Sequence, residues 1–343
     1  MTKLLGKIFY YPLKYQLWLS TLFYFKRIQF KGIRHVPRDK AVIYASNHQN
    51  ALLDALIVST FSRRAPYFLT RANVFKNPKA GDFLRGLKML PIYRFRDGLA
   101  NVKKNDNTFE EAIKVLEQQG VVGVFPEGNH ALQYSIRKLQ KGLARIAFGA
   151  NERNQHALDI KVLPIGIYYE NYYSSRGRVL VNMGEAIDLQ DYTKEHQADE
   201  RRGYEALLEE LSHRMKKLSL HFPDGADYDK LKKEFDKQRI YKNDMLKQLQ
   251  ADQKLVDALH HGTPYNEKTE KPSFLLRIYW AVRKVAQVIT YPAHRLINSV
   301  VASKVKDPHF IGSIRFVLTT FLYPPYLVLL AILLWSLFGI MLP

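Results

Sequence analysis

Short apolar segments separated by helical patterns constrain the fold of residues 36–190 more than any other feature of the sequence. The segments are rich in β-branched or aromatic residues, which favour strands; they are Ala41–Ala45, Tyr67–Leu69, Met89–Tyr93, Val121–Phe125 and Val162–Tyr169. The clearest helical pattern between them is Thr108–Gln119, with Asn107 as the predicted N-cap. Strands this continuously apolar are typical of a sheet covered on both faces. We therefore predict an α/β domain with a mixed sheet flanked by helices.

Residues 1–35 precede this domain and are aromatic and basic. The apolar run Tyr15–Phe25 is too short to cross a bilayer, which takes about 20 residues in a helix. The predicted structure is an interfacial helical segment. The alternative is a helix that packs on the core of the domain itself.

Residues 191–270 follow the domain and are dense in alternating charge. They predict two or three surface helices, for example Glu205–Leu218 and Tyr228–Leu259. No residue pattern there indicates chemistry, so the expectation is a solvated, charged helical appendage.

Residues 271–343 are predicted to associate with a membrane, because no charged residue occurs from Phe316 to Leu342. As a helix, Leu327–Leu342 would span about 24 Å, somewhat less than a hydrocarbon core of about 30 Å. A transmembrane run over about 316–342, bent at Pro324-Pro325, is long enough. Basic residues interrupt Phe274–Val301, which should therefore lie in the interface. A buried core helix is the alternative for the terminal run.

The distribution of charged residues predicts the class of partner and the orientation of the chain in a membrane. Lys and Arg number 52 against 32 Asp and Glu, a net charge of +20, which indicates a nucleic acid or an anionic membrane as partner. The terminal apolar run favours the membrane and argues against nucleic acid. Lys304, Lys306 and Arg315 precede that run, which predicts that the α/β domain lies on the cytoplasmic side. The sequence has no cysteine, so an acyl-cysteine intermediate and a thiolate metal site are excluded.

A predicted strand delivers the chain to His48, and a helical pattern containing Asp54 follows. Histidine is a suitable general base near neutral pH, and a carboxylate partner fixes its tautomer. Residues six apart on one helix do not face each other. The pair therefore requires His48 in the loop before the helix and Asp54 in its first turns. A surface histidine beside a helix-capping residue is the alternative.

Three further segments carry candidate site residues. A buried strand ends at Phe125-Pro126-Glu127-Gly128, where the carboxylate could bind substrate hydroxyls. Met89–Tyr93 delivers Arg94, whose guanidinium suits a phosphate. Pro164 lies in an apolar strand, where it would permit a bulge or the close approach of a ligand. Each segment alone is also compatible with an ordinary strand-ending turn or a solvated basic turn.

Together, and in this order, the four segments resemble the conserved blocks of the membrane-associated glycerolipid acyltransferases, over roughly residues 38–185. The resemblance implies that His48 is the base and Asp54 its partner. It also implies a set of substrate-binding residues, namely Asn47, Asn50, Arg94, Phe125, Pro126, Glu127, Gly128, Lys141 and Pro164. Two features depart from the family pattern. Five residues separate His48 from Asp54 where four are usual, and Asn129-His130 stands where many members have an arginine.

The resemblance implies transfer of a fatty acyl group from acyl-CoA or acyl carrier protein to the hydroxyl of glycerol 3-phosphate or 1-acylglycerol 3-phosphate. His48 would take the hydroxyl proton, backbone N–H groups near the strand ends would hold the oxyanion, and His48 would reprotonate the leaving thiol. No metal and no cofactor besides the acyl donor are expected. The alternatives are a lysophospholipid-remodelling acyltransferase or transacylase, and a catalytically inert, basic membrane-binding protein.

Overall fold

The structure, a computed structural model, describes residues 2–93, 103–172 and 176–339. Within these ranges eight strands form one sheet in the order β1-β7-β6-β2-β5-β3-β4, and β8 pairs with β6. The strands are β1 (Arg27–Lys31), β2 (Ala41–Ser46), β3 (Tyr67–Arg71), β4 (Met89–Ile92), β5 (Val121–Val124), β6 (Ile160–Tyr169), β7 (Arg178–Met183) and β8 (Ile187–Asp188).

The sheet is mixed, as predicted. Strands β6, β2, β5, β3 and β4 run parallel, and β7 and β8 pair with β6 in the antiparallel sense. Strand β1 pairs with β7 in the parallel sense. The carboxyl ends of β2, β5, β3 and β4 therefore meet at one edge of the sheet. In open α/β sheets this edge is where binding sites form.

Helices cover both faces of the sheet. They are α1 (Thr2–Tyr24), α2 (Ala51–Phe61), α3 (Pro78–Gly86), α4 (Asn105–Glu117), α5 (Gly142–Arg153), α6 (Gln190–Ala198), α7 (Glu200–Leu218), α8 (Tyr228–Gln238), α9 (Met245–His261), α10 (Phe274–Ile289), α11 (Tyr291–Lys304) and α12 (Pro308–Gly339). One core lies between the sheet and α4, α5 and α7, and a second lies between the sheet and α1, α2, α8 and α9. Burial on both faces explains the continuous apolar strands.

The start of α4 differs from the prediction. The helix begins at Asn105 and not after Asn107. The Asn105 side chain bonds to the backbone N–H and carbonyl of Tyr93, both at 2.8 Å, and so ties the start of the helix to the end of β4. This long-range contact has no signature in the local sequence.

The charged segment 191–270 is not the solvated appendage that its composition predicts. Phe235 of α8 and Leu255 and Val256 of α9 are fully buried, in the same core as Leu180 of the sheet. Each helix carries a narrow apolar stripe beneath a charged outer face. In sequence the charge obscures the stripe.

The terminal helices expose large apolar side chains. Helix α1 buries Leu17 and Tyr24 in the core but exposes Ile8, Phe9 and Tyr15. Helix α1 therefore combines features of the two alternatives predicted for residues 1–35. It packs on the core of the domain, and it presents an apolar outer surface.

Helix α12 continues through Pro324 and Pro325, where the sequence predicted a bend. Its segment Pro308–Ser336 has a mean hydropathy of 2.0 in its most apolar part, of which only 17% is buried. By length and composition it could cross a membrane.

Candidate active site

His48 and Asp54 meet at the carboxyl edge of the sheet. Strand β2 ends at Ser46, helix α2 begins at Ala51, and Asp54 lies in the first turn of that helix. The Nδ1 atom of His48 is 2.9 Å from Oδ2 of Asp54. This is the placement that the sequence requires of the pair, with the histidine in the loop and the carboxylate on the helix.

The Asp54 carboxylate is fully buried and held by three further donors. The backbone N–H groups of Gln49 and Asn50 each donate to Oδ2 at 2.8 Å, and the Tyr169 hydroxyl donates to Oδ1 at 2.7 Å. The carboxylate is thus fixed in position by the loop before it and by the end of β6. Sequence reasoning did not find Tyr169, whose only signal was its place at the end of a predicted strand.

The geometry assigns the two nitrogens of His48 to different roles. Because an ionised carboxylate only accepts hydrogen bonds, Nδ1 carries the proton and Nε2 is left as an acceptor. The ring stacks on Phe125, with 4.1 Å between centroids and 15° between planes. The His48 side chain is 16% exposed, so the base is mostly shielded from water. This is the arrangement of a general base oriented by a carboxylate.

Glu127 follows β5 and lies against the same loop. Its side chain is almost fully buried, and one oxygen forms an ion pair with Arg137. Among the described residues, the other oxygen, Oε1, has no hydrogen-bond partner. Burial raises the pKa of Glu127 to about 7, against the opposing effects of the Arg137 guanidinium and the His48 backbone N–H. A buried acceptor without a partner, next to the base, is suited to receive a hydroxyl group.

His130 contacts His48 edge-on, with 5.5 Å between the ring centroids and 89° between the ring planes. Burial, together with His48 and His309, lowers the pKa of His130 to about 4. The ring is therefore neutral at physiological pH. His130 thus adds no charge beside the His48 ring.

One group of described residues could hold a metal ion. The ligand atoms of His130, Asp307 and His309 lie within 4.8 Å of one another. Asp307 already accepts hydrogen bonds from the backbone N–H and the ring of His309, at 3.0 and 2.8 Å, and so caps the start of α12. Capping accounts for the group without an ion, and the expectation of no metal stays a prediction.

Two of the predicted substrate-binding residues, Asn47 and Asn50, use their side-chain amides within the fold. The Asn47 amide exchanges two hydrogen bonds with the backbone of Ile167 in β6, at 2.9 and 2.7 Å. The Asn50 amide donates to the Tyr172 carbonyl at 3.2 Å. Lys141 is exposed at the start of α5, where its charge acts on Glu205. The two amide contacts hold the loop that carries His48, whereas the Lys141 side chain remains exposed.

The remaining predicted substrate-binding residues lie in different parts of the chain. Pro164 is buried within β6, opposite Ala45, one residue before the end of β2. Pro126 is buried and accepts a hydrogen bond from Gln140 at 2.7 Å, and Gly128 forms the turn with a left-handed φ of 75°. Arg94 lies outside the described residues.

Arg71 is a candidate site residue that the sequence analysis did not find. It ends β3, one strand from β5, at the same edge of the sheet as His48. Among the described residues, its Nε atom is buried without a hydrogen-bond partner. A guanidinium in that state is suited to bind an anionic group.

Two surface cavities, of about 600 and 440 Å³, lie among residues 254–267 and 291–299, and neither includes His48. The candidate site at the covered edge of the sheet is therefore separate from these two cavities.

Comparison with known proteins assigns the region that contains the pair. Residues 27–168 match a family model described as Acyltransferase. This region belongs to the acyltransferase family. The match confirms the predicted resemblance to the glycerolipid acyltransferases, and it covers both loops of the site.

Two individual proteins resemble parts of this chain. Glycerol-3-phosphate O-acyltransferase 2 of Saccharomyces cerevisiae is 27% identical over 128 residues, which are 37% of this chain and 17% of the yeast protein. The chain thus spans less than a fifth of that relative. The solved 1-acyl-sn-glycerophosphate (LPA) acyltransferase PlsC of Thermotoga maritima is 20% identical with a TM-score of 0.35, covering 53% of this chain and 72% of that one.

Proposed function

We propose that this chain transfers a fatty acyl group from acyl-CoA or acyl carrier protein to the hydroxyl of glycerol 3-phosphate or 1-acylglycerol 3-phosphate. The observation that carries the proposal is the contact between His48 and Asp54, inside a region that matches the acyltransferase family. The name of the yeast relative supports glycerol 3-phosphate as the first acceptor to test.

In the proposed reaction His48 is the general base. Its Nε2 atom takes the proton of the acceptor hydroxyl as that oxygen attacks the thioester carbonyl. Asp54 holds the ring through Nδ1 and stabilises the imidazolium that forms. The tetrahedral intermediate then expels the thiolate, which takes the proton back from Nε2. The products are an ester and a free thiol, and the enzyme regains its starting state without an acyl-enzyme intermediate.

The acceptor would be held by the groups around this base. With glycerol 3-phosphate as the acceptor, Glu127 would accept a hydrogen bond through Oε1 from the hydroxyl that does not react. Arg71 would bind the phosphate, and Arg137, whose side chain is 25% exposed, adds positive charge beside Glu127. Arg71 and Arg137 would supply the positive charge for which many family members have an arginine at Asn129-His130.

The terminal helices would bring the site to a membrane. We infer that α12 inserts into the bilayer and that α1 and α10 lie at its surface, with the catalytic region on the cytoplasmic side. Helix α10 has no buried residue and exposes Phe274, Leu275 and Val282. It is held to the end of α1 by Arg283, which donates to the backbone carbonyls of Leu22, Phe23 and Lys26. The positive charge of the chain favours anionic lipid.

The test is acyl transfer by purified full-length protein in vesicles that contain anionic lipid. Labelled acyl-CoA or acyl carrier protein is offered with each acceptor in turn, and products are identified by mass. We expect His48→Ala and Asp54→Asn to lower kcat by about 10² or more, because each removes part of the base. A matched control is His213→Ala, since that histidine lies on α7, away from the site.

Wild-type turnover in both variants would refute the proposed base. Product formed from a phospholipid without any thioester would indicate a transacylase instead. If no acceptor is acylated by the wild-type chain, an inert membrane-binding protein is the remaining reading.

A further inference from the structure

The first turns of α12 contact the loop that carries the catalytic pair. This helix lies far beyond residues 27–168, the region that matches the family. The Ser313 hydroxyl is fully buried; it donates to the Asn50 carbonyl and accepts from the Leu53 N–H, each at 3.0 Å. The hydroxyl thus bridges the loop and the first turn of α2.

Gly312 permits this close approach. A Cβ atom at position 312 would lie 2.7 Å from the Asn50 side-chain oxygen, nearer than atoms can pack. The Gly312 carbonyl accepts a hydrogen bond from the Tyr24 hydroxyl at 3.0 Å, which holds the helix against α1. Helices α1 and α12 therefore pack against each other and against the loop that carries Asn50.

The loop needs such support, because it contains a residue in an unfavourable conformation. Ala51 has a φ of 42°, in the left-handed region that residues with a Cβ rarely adopt. It lies in the stretch between His48 and Asp54, which has one residue more than the usual spacing. The left-handed residue lets the longer loop turn back, so that Gln49 and Asn50 direct their N–H groups at Asp54.

Asn50 connects the two sets of contacts. Its N–H donates to Asp54 and its carbonyl accepts from Ser313. The carbonyl belongs to the peptide plane after Asn50 and the N–H to the plane before it, so the two hydrogen bonds together hold the planes on both sides of the Asn50 Cα atom. Ser313 therefore acts on Asp54 through one residue, without touching the base.

We propose that Ser313 is a positioning residue for the His48–Asp54 pair, through which the C-terminal helix completes the active site. The inference rests on the proposed function, because it assigns Ser313 a part in that reaction. It also explains how a loop with five residues between histidine and aspartate can hold a working pair.

The test compares Ser313→Ala with wild type in the acyl transfer assay. The fold should survive, because the Leu53 N–H also donates to the Asn50 carbonyl at 3.0 Å. We expect kcat to fall about tenfold, the effect of one lost hydrogen bond in a buried network, with KM for either substrate changed less than about twofold. Ser20→Ala is the matched control, because in the described part of the chain that buried hydroxyl bonds only to the Gln16 carbonyl of its own helix.

A double-mutant cycle separates positioning from general stability. If Ser313 acts through the pair, Ser313→Ala should cause little further loss in the Asp54→Asn background. Unchanged kcat in Ser313→Ala, or losses that multiply in the double variant, would overturn the positioning role while leaving the proposed function intact. A wild-type chain without acyl transfer activity would overturn both.

Discussion

Tyr169 and His48 bind opposite oxygens of the same carboxylate. The Tyr169 hydroxyl donates to Oδ1 of Asp54 at 2.7 Å, and His48 contacts Oδ2 at 2.9 Å. The tyrosine lies at the end of β6, so the sheet itself sets the direction of the carboxylate. The geometry of the His48–Asp54 pair is therefore set by β2, β6 and α2, and not by the His48 loop alone.

Tyr169→Phe should lower kcat about tenfold, because removal of the hydroxyl leaves Oδ1 without its donor in a buried site. The adjacent Tyr168→Phe is a matched control, since its hydroxyl binds Asp252 in a separate buried network. Steady-state kinetics with saturating acceptor checks the prediction. Equal kcat losses in the two variants would contradict it.

The KM for the acceptor should depend on pH through Glu127. Its pKa is raised to about 7 by burial, so the carboxylate that would bind a hydroxyl forms as the pH rises through 7. We expect KM to fall over pH 6 to 8 in the wild-type chain and to change less in Glu127→Gln. Parallel profiles for the two proteins would argue against Glu127 as an acceptor ligand.

The same group gives a stability prediction with a definite sign. The folded state binds the Glu127 proton more tightly than the unfolded state, whose pKa is near the ordinary value of 4.5. Its contribution is therefore full below pH 4.5 and is lost as the pH rises to about 7. The unfolding free energy of the wild-type chain, relative to Glu127→Gln, should fall over that window. Denaturant titrations at several pH values measure the difference, and a rise would contradict the prediction.

Arg71→Met should raise KM for a phosphate-bearing acceptor about tenfold or more, the scale of a lost charge-assisted hydrogen bond. The methionine keeps much of the apolar stem, and KM for the acyl donor should change little. Arg85→Met is the control, because Arg85 pairs with Glu111 on the surface. Similar KM values for Arg71→Met and wild type would exclude Arg71 from phosphate binding.

The left-handed conformation of Ala51 can be tested with glycine. Ala55→Gly, in the interior of α2, should cost about 1 kcal/mol of unfolding free energy. Ala51→Gly should cost clearly less, because relief at a φ of 42° offsets the loss of a buried methyl group. Denaturant titration compares the two variants. Equal costs would show that Ala51 does not adopt this conformation in solution.

Leu333→Lys should weaken membrane retention, because a lysine near the centre of a spanning helix costs about 2.5–3.5 kcal/mol. Leu333 is exposed on α12, and Val74→Lys is a control on an exposed site of the catalytic region. Washing membranes with concentrated salt measures retention. Release of the wild-type chain by salt would indicate surface binding only.

The sequence predicted the central strands and the placement of His48 and Asp54, because these depend on local patterns. Apolar runs define β2 and β5, and the strand-to-helix junction places the histidine in a loop. Strands β1 and β7 were missed. Arg27–Lys31 and Arg178–Met183 contain polar residues that obscure strand periodicity, and their pairing joins segments about 150 residues apart.

The roles of individual polar side chains were harder to predict, because they depend on contacts distant in sequence. Asn47 was expected to bind substrate, yet its amide pairs with Ile167, 120 residues away. Ser313 and Tyr169 carry no local motif, and only the packing of α12 and β6 brings them to the site. The order of the motifs therefore indicates where the candidate site lies, but not which neighbouring residues hold His48 and Asp54 in position.

Because α12 is continuous, it fixes the distance between the candidate active site and the part of the helix that could lie in a membrane. Ser313 lies beside the catalytic loop, and Phe321, eight residues later on the same helix, is already more than half exposed. Eight residues of helix measure about 12 Å. If the chain transfers acyl groups at a membrane as proposed, a fatty chain attached at the reacting carbonyl could remain in the bilayer during transfer, and only the polar ends of donor and acceptor would leave it.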